Sequence, residues 1–198
     1  MIDMNGPLDV FLKANSYNNS KYNIFTVAEN SAAIQSENAI VTLTPTFTIA
    51  NHPKPDIIVI PGQVTSEGPP PIFGDGSGAL VSWIKEHGQN PNIIVMSVCI
   101  GAYILASTGL LTNRQATTHY LAIEDIQTKY PGTKFIKNVR YVPDGNIVTT
   151  GGITSGIDGA LYLVGLKDGA DIAQHVADVM VYNLEAPLPP YTLLPPYE

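Results

Sequence analysis

A single cysteine lies where an apolar strand-like run gives way to a helix-like stretch. Cys99 follows the β-branched run 92–98, and the helix-like stretch begins after Ile100. A side chain on such a turn projects above the carboxyl edge of a sheet, where the amino end of the helix favours a thiolate. Ser97 and Gly101 complete the small-x-nucleophile-x-Gly spacing of a nucleophile elbow. Cys99 is predicted to be a nucleophile, and the alternative is a small buried apolar residue.

A nucleophile of this kind also needs hydrogen-bond donors for the negative charge that develops during reaction. The amide of Ile100 is adjacent to Cys99 by construction. Gly62 ends the other β-branched run, 56–62, and its amide would approach the elbow if the two runs are neighbouring strands. The alternative for Gly62 is a simple turn after Pro61.

The elements around the elbow alternate between short apolar runs and longer helix-like stretches, which is typical of an α/β fold with a mostly parallel sheet. The two β-branched runs are expected to form the central parallel pair, because continuous apolar runs suit strands that are covered on both faces. Further strands are predicted at 22–28, 39–48, 135–142 and 146–150, and helices at 79–87, 101–111 and 120–130. Two more helices are predicted to begin at capping pairs, one at Ser155 with Asp158 and the other at Asp168 with Asp171.

Composition and charge narrow the range of partners. The chain has 198 residues and a net charge of −7, which repels nucleic acid and anionic lipid, so neither is expected as a partner. No leader or membrane-spanning run is evident, and one cysteine is compatible with a reducing compartment. The sequence therefore predicts a cytoplasmic protein with one domain at 1–186 and a proline-rich tail at 187–198. A second Gly- and Pro-rich segment, 63–78, is predicted to be a loop.

No metal site or cofactor is predicted. His52, His87 and His175 are scattered, with no second cysteine and no carboxylate cluster at ligand spacing. The glycine-rich stretch 151–156 superficially suggests a phosphate-binding loop. No lysine follows it and the dinucleotide spacing fails, so a tight strand-to-helix turn is the preferred interpretation.

Six stretches together give a resemblance to the ThiJ/PfpI family of the class I glutamine-amidotransferase-like superfamily, and within it to isonitrile hydratases. They are IDMNGPLDVF (2–11), IVIPG (58–62), SVCIGA (97–102), TGLL (108–111), ATTH (116–119) and GGITSGID (151–158). The resemblance implies a flavodoxin-like three-layer sandwich and, commonly, a homodimer. It also implies a small-molecule substrate, with an isonitrile converted to an N-substituted formamide.

The resemblance also implies roles for two residues that sequence position alone would leave aside. Asp3 matches the family's acidic residue that hydrogen-bonds the elbow cysteine, so it is expected to act as the acid beside the Cys99 thiolate. His119 matches the histidine near that cysteine and is expected in a supporting role. From position alone, Asp3 is a terminal surface charge and His119 a hydrogen-bonded structural residue.

The sequence departs from the family pattern at three places. Met1 stands where the strand preceding the Asp-x-x-Gly-Pro stretch has already ended, so an upstream piece, another segment or another subunit is expected to supply that strand's hydrogen bonds. Ile100 replaces the threonine usual in isonitrile hydratases, and Gln63 stands where a second glycine is common. A different substrate is therefore compatible with the pattern.

Two other function classes remain open at this point. One is a redox or electrophile sensor that uses a single activated thiol without turnover. The other is a small-molecule binding domain in which Cys99 has no catalytic role. A transcription regulator is disfavoured, since no helix-turn-helix extension is evident and the chain is acidic.

Overall fold

The computed structural model describes residues 1–17, 22–62 and 78–184. Within these ranges the α-helices and strands follow one another along the chain as α1 (Ile2–Tyr17), β1 (Val27–Ala28), β2 (Ile34–Gln35), β3 (Thr42–Leu43), β4 (Phe47–Thr48), β5 (Ile57–Ile60), α2 (Ala79–Gly88), β6 (Ile94–Val98), α3 (Gly101–Ser107), β7 (Gln115–Ala116), α4 (Ile123–Lys129), β8 (Lys134–Phe135), β9 (Tyr141–Asp144), β10 (Ile147–Thr150), α5 (Ser155–Asp168) and α6 (Ala170–Val179). Two 3₁₀ turns, Glu37–Ala39 and Tyr120–Ala122, complete the regular structure of these ranges.

The central sheet has four strands in the order β5-β6-β10-β9. Strands β5, β6 and β10 are parallel, and β9 joins the edge antiparallel to β10. The predicted central parallel pair is confirmed: Ile60 lies opposite Ser97 in the β5–β6 register. Thr150 lies opposite Val98 across the other side of β6, so the elbow begins between two parallel neighbours.

Helices cover both faces of this sheet. Helices α1, α5 and α6 pack together on one side, and α2 and α3 pack together on the other. The core between them is aliphatic, with completely buried side chains that include Val95, Val98, Leu105, Leu161 and Leu163. The protein therefore has the predicted α/β three-layer sandwich, because each helix must bury one apolar face against a sheet that is apolar on both sides.

The two strands expected at 22–28 and 39–48 are much shorter than predicted. In their place, β1 pairs with β4 in parallel, and β3 pairs with β2 in a separate antiparallel pair. Pro45, which has no amide hydrogen to donate, lies between β3 and β4. The two segments are irregular and have no fully buried residue. Their alternation of apolar residues and threonines nevertheless resembles the pattern of continuous strands.

Several predicted element ends also differ. Helix α3 stops at Ser107, because the Thr108 hydroxyl hydrogen-bonds the Leu105 carbonyl and Gly109 adopts a φ of +79°. The helix predicted at 120–130 is a 3₁₀ turn followed by α4. The strand predicted at 135–142 is divided between the end of β8 and the start of β9.

The predicted pair of Ser155 and Asp158 does not cap α5. Thr154 and Gly169 precede α5 and α6, and neither makes a side-chain cap. Ser155 instead bonds both backbone groups of Gly152, and Asp158 binds Arg140. The Ser155 hydroxyl is therefore used within the turn before α5, and the Asp158 carboxylate is used by a tertiary partner.

Two predicted segments lie outside the described residues: the loop at 63–78, apart from Gly78, and the tail at 187–198. Among the described residues, β5 has β6 as its only strand partner, so its outer edge has no neighbouring strand there. No helix in the described ranges combines the length and the apolar character needed to cross a membrane.

Candidate active site

Cys99 occupies the turn between β6 and α3 in a strained backbone conformation. Its φ is +55°, a value that side-chain-bearing residues seldom adopt and that clusters at functional sites. Its amide donates to the Thr150 carbonyl at 3.1 Å, and its carbonyl accepts a 2.8 Å hydrogen bond from the buried Thr118 hydroxyl. Three elements thus hold the cysteine at the carboxyl edge of the sheet, as the elbow spacing predicts.

Two glycines allow the backbones around Cys99 to approach closely. A Cβ atom on Gly101 would lie 2.4 Å from the Ile60 carbonyl oxygen, so the first turn of α3 touches the end of β5. A Cβ atom on Gly62 would lie 2.7 Å from Asp3 Oδ2 and 3.1 Å from the Cys99 Cβ. Gly62 therefore borders both the carboxyl and the cysteine, and a side chain there would displace them.

Asp3 lies in the first turn of α1, where only 7% of the residue is exposed. One carboxylate oxygen accepts a hydrogen bond from the Gly62 amide at 3.2 Å, and the carboxyl interacts with the Cys99 thiol by hydrogen bonding and by charge. The structure therefore brings Asp3 to the elbow from the far end of the chain, so this residue is not a surface charge. The Gly62 amide faces this carboxylate in the present arrangement.

Burial, the charge of Asp3 and a hydrogen bond with Asp3 together raise the pKa of the Cys99 thiol to about 12, and burial is the largest of these causes. Burial likewise raises the pKa of Asp3, while the Gly62 amide opposes that shift. The Ile100 amide hydrogen-bonds the sulfur and lowers the thiol pKa, but by less than burial raises it. In this arrangement desolvation and Asp3 raise the thiol pKa by more than the Ile100 amide lowers it, and the thiolate that the elbow spacing predicts remains a prediction.

His119 lies next to Thr118, whose hydroxyl holds the Cys99 carbonyl. Its ring lines the same cleft as Asp3 and Cys99, and the charge of Asp3 acts on it. Burial lowers the pKa of His119, against the opposing effect of Asp3, so the imidazole is neutral at physiological pH. The structure thus brings together all five predicted residues: Cys99, Asp3, Gly62, Ile100 and His119.

The cleft above Cys99 has a largely apolar wall. Side chains of Ile24, Ile100, Ile104, Leu121 and Ile153 line it together with the ring of Tyr103. Such apolar residues suit the hydrocarbon part of a substrate. Within the described ranges, no three histidine, cysteine or acidic side chains group closely enough to hold a metal ion.

The sequence analysis did not predict a role for Thr118 in the site. Thr118 positions the Cys99 carbonyl, yet a threonine in a short polar stretch carries no distinctive pattern. In the sequence, its position beside His119 in the stretch 116–119 is the feature that could have indicated such a role. The hydrogen bond that holds the elbow backbone is evident only in the tertiary structure.

Sequence comparison agrees with this geometry. The DJ-1/PfpI family pattern matches residues 2–165, which include every residue of the site described above. The chain belongs to the DJ-1/PfpI family. An isonitrile hydratase from Pseudomonas putida is 32% identical over 190 residues, spanning 96% of this chain and 75% of the relative. The transcriptional regulator CdhR from Pseudomonas aeruginosa is 32% identical over 103 residues, spanning 52% of this chain and 30% of the regulator.

Structural comparison places the DJ-1/PfpI fold over most of the chain. A ThiJ/PfpI family protein from Pseudomonas syringae superposes with a TM-score of 0.76 at 24% identity, covering 94% of this chain and 72% of the other. The predicted family membership and flavodoxin-like sandwich are therefore confirmed. The family includes both an isonitrile hydratase and transcriptional regulators, so membership alone does not determine the activity.

Proposed function

We propose that this protein is a cysteine-dependent hydratase of small carbon–nitrogen substrates that converts an isonitrile to an N-substituted formamide. The observation that carries this proposal is the pairing of a strained elbow cysteine with a buried carboxyl, Asp3. Similarity to the Pseudomonas putida isonitrile hydratase supports the choice of substrate class. The apolar cleft wall suits the hydrocarbon substituent of an isonitrile.

In the first step, the Cys99 sulfur attacks the terminal carbon of the isonitrile. Asp3 accepts the thiol proton as the carbon–sulfur bond forms, and then delivers it to the same carbon. The product of this step is a thioimidate bound to Cys99. The Ile100 amide, which donates to the sulfur, stabilises the negative charge that the sulfur carries during proton transfer.

In the second step, water adds to the thioimidate carbon and the carbon–sulfur bond breaks. The formamide leaves, and Cys99 regains its proton. Negative charge that develops during this step lies near the amides of Ile100 and Gly62, although the Gly62 amide must exchange its bond to Asp3 to contribute. His119 has a supporting role in the cleft.

The test is an isonitrile panel with aliphatic and aromatic substituents, with formamide measured by mass spectrometry. We expect formamide from at least one isonitrile, and loss of activity in Cys99→Ala and in the near-isosteric Cys99→Ser. If no isonitrile in the panel yields a formamide, the isonitrile assignment is wrong. Full activity in Cys99→Ala would remove the covalent mechanism.

The alternative favoured by the regulator relatives is a small-molecule binding domain without turnover. In that case a panel ligand would raise the melting temperature of the protein with no formamide formed. A peroxide sensor is less compatible, because a raised thiol pKa leaves little thiolate to be oxidised. Peroxide titration followed by intact mass would detect such a sensor as oxygen gained by Cys99 at low dose.

The proposal also includes the cellular location, the oligomeric state and the partners of the protein. A reducing cytoplasm suits a reactive thiol in a chain with one cysteine. We also propose a homodimer acting on a small molecule, without nucleic acid or membrane as a partner, and light scattering after size exclusion tests the oligomeric state. A monomeric mass across the working concentration range would contradict the dimer.

A further inference from the structure

The cleft is far larger than a small isonitrile, but the thiol at its base is almost covered. The cleft encloses about 1980 Å³. Cys99 is only 6% exposed, and the two residues beside it, Asp3 and Ile100, are 7% and 8% exposed. The volume of the cleft therefore does not limit what reaches the sulfur, whereas the few side chains directly around the sulfur do.

Three side chains converge on the space next to the Gly62 backbone. A Cβ atom placed on Gly62 would lie 2.7 Å from Asp3 Oδ2 and 3.1 Å from both Cys99 Cβ and Ile100 Cγ1. A carboxyl, a thiol and one apolar side chain thus border the same point. The side chain of Ile100 has no polar group, so it contributes shape to this space and no proton.

The Ile100 side chain has little freedom to move away from the sulfur. It is β-branched, which leaves few χ1 rotamers, and its residue directly precedes α3. Tyr103 and Ile104, three and four positions later, are its neighbours along the helix, and both are buried and line the cleft. The Tyr103 hydroxyl donates to the Asp125 carboxylate at 2.6 Å, which fixes the ring.

Electrophiles differ in how much room their reacting carbon needs beside a sulfur atom. The terminal carbon of an isonitrile is bonded only to nitrogen, so its approach needs a passage about one carbon atom wide, roughly 3.5–4.0 Å. The carbon of an ester or amide carries two further heavy atoms, and both must be accommodated next to the sulfur. A rigid side chain that borders the sulfur therefore discriminates between the two classes by steric exclusion.

We propose that Ile100 is a specificity-determining residue, whose side chain admits a terminal carbon to the Cys99 sulfur and excludes acyl carbons. This inference deepens the proposed function and rests on it for the choice of isonitrile as substrate. An elbow thiol with amide donors beside it is also suited to acyl transfer, so the polar groups of the site do not by themselves select hydration. Ile100 separates a hydratase from an ester or amide hydrolase.

Two thiol probes test this role without requiring turnover. Acrylonitrile presents a terminal alkene carbon that bears only hydrogens, and p-nitrophenyl acetate presents an acyl carbon. Both react with the same thiolate, so a change in the thiol pKa cancels in the ratio of the two rates. In Ile100→Ala, with modification of Cys99 followed by intact mass, we expect this ratio to move toward the acyl probe by about tenfold or more. An unchanged ratio would overturn the assignment.

Ile104→Ala is the matched control. It is the same truncation of a buried isoleucine that lines the cleft, but it lies one helical turn farther from the sulfur. We expect its ratio of rates to stay close to that of the unmodified protein. An equal shift in Ile104→Ala would show that the general width of the cleft selects the probe, and the assignment to Ile100 would be wrong.

A conservative variant guards against a disturbed fold in Ile100→Ala. Ile100→Val removes a single methyl group and keeps the β-branch, so the elbow should retain its structure. We expect the ratio to move in the same direction, by less than in Ile100→Ala. No shift in a folded Ile100→Val, with circular dichroism showing that Ile100→Ala is unfolded, would also overturn the assignment.

The two proposals fail in different ways. If the unmodified protein makes no formamide from any isonitrile, the hydratase proposal fails, and the probe ratio still decides the role of Ile100. If the unmodified protein makes formamide and the ratio is the same in Ile100→Ala, the hydratase proposal stands and this inference is wrong.

Discussion

At the scale of single residues, the proposed chemistry depends on a thiol whose pKa is raised by its surroundings. Cys99 is 6% exposed, and a carboxylate lies beside it. Attack on a substrate therefore requires the proton to leave with the help of Asp3, at the moment the carbon–sulfur bond forms. This coupling gives measurable pH behaviour.

The raised pKa of the Cys99 thiol predicts how alkylation depends on pH. Because only the thiolate reacts, the iodoacetamide rate should rise about tenfold for each pH unit, without levelling near the ordinary thiol value of about 8.5. Stopped-time alkylation followed by intact mass measures this, with free cysteine as the control. A plateau near that ordinary value would show that burial does not act on the thiol as described.

Asp3→Asn should change alkylation and turnover in opposite directions. Removing the carboxylate charge lowers the pKa of the thiol, so alkylation at about pH 8 becomes faster. The same change removes the proton acceptor, so isonitrile hydration should slow by roughly 10²- to 10⁴-fold. A parallel loss of both rates would point instead to a disturbed fold, and circular dichroism distinguishes that case.

At the scale of elements, the elbow depends on how closely α3 approaches β5. The Gly101 position touches the Ile60 carbonyl, and backbone atoms there cannot move aside as a flexible side chain can. The Thr118 hydroxyl also holds the Cys99 carbonyl, and the Thr150 carbonyl holds the Cys99 amide. The strained φ of Cys99 is held by these three neighbours together.

Gly101→Ala should therefore destabilise the fold. The added methyl group would meet the Ile60 oxygen at 2.4 Å, and relieving that contact costs roughly 1–3 kcal/mol of unfolding free energy. Urea unfolding measures the loss. The control is Gly132→Ala, whose methyl group makes an ordinary 3.7 Å contact with Thr112, and equal stability of the two variants would contradict the close approach.

At the scale of the whole molecule, a charged cluster ties distant parts of the chain together. Arg140, just before β9, donates to Asp158 in α5 at 2.7 Å and to the Tyr182 hydroxyl at 2.7 Å. The Tyr182 hydroxyl also donates to Asp158 at 2.8 Å. The cluster therefore joins the sheet edge, α5 and the segment after α6.

Asp158→Asn should weaken this connection more than Tyr182→Phe does. Loss of the carboxylate leaves the Arg140 guanidinium partly buried without its counter-charge, which should cost about 2 kcal/mol of unfolding free energy. Loss of the tyrosine hydroxyl keeps the ion pair and should cost about 1 kcal/mol. Urea unfolding of both variants checks the order, and the reverse order would mean that the hydroxyl dominates the cluster.

The sequence by itself determined the α/β class, the central pair β5 and β6, and the elbow at Cys99. These features are local: a continuous β-branched run suits a doubly covered strand, and small residues at fixed spacing allow a tight turn. Peripheral strands and helix caps were predicted less well. Asp158, for example, binds Arg140, a tertiary partner that no short-range pattern contains.

Only the tertiary structure decided the pKa shift of the Cys99 thiol and the contacts that hold the elbow. The pKa of Cys99 depends on burial and on Asp3, which lies 96 positions earlier in the chain. The bond from the Thr118 hydroxyl to the Cys99 carbonyl likewise joins segments that meet only in the folded protein. Desolvation and through-space charge act across contacts between distant segments, so composition and spacing do not reveal them.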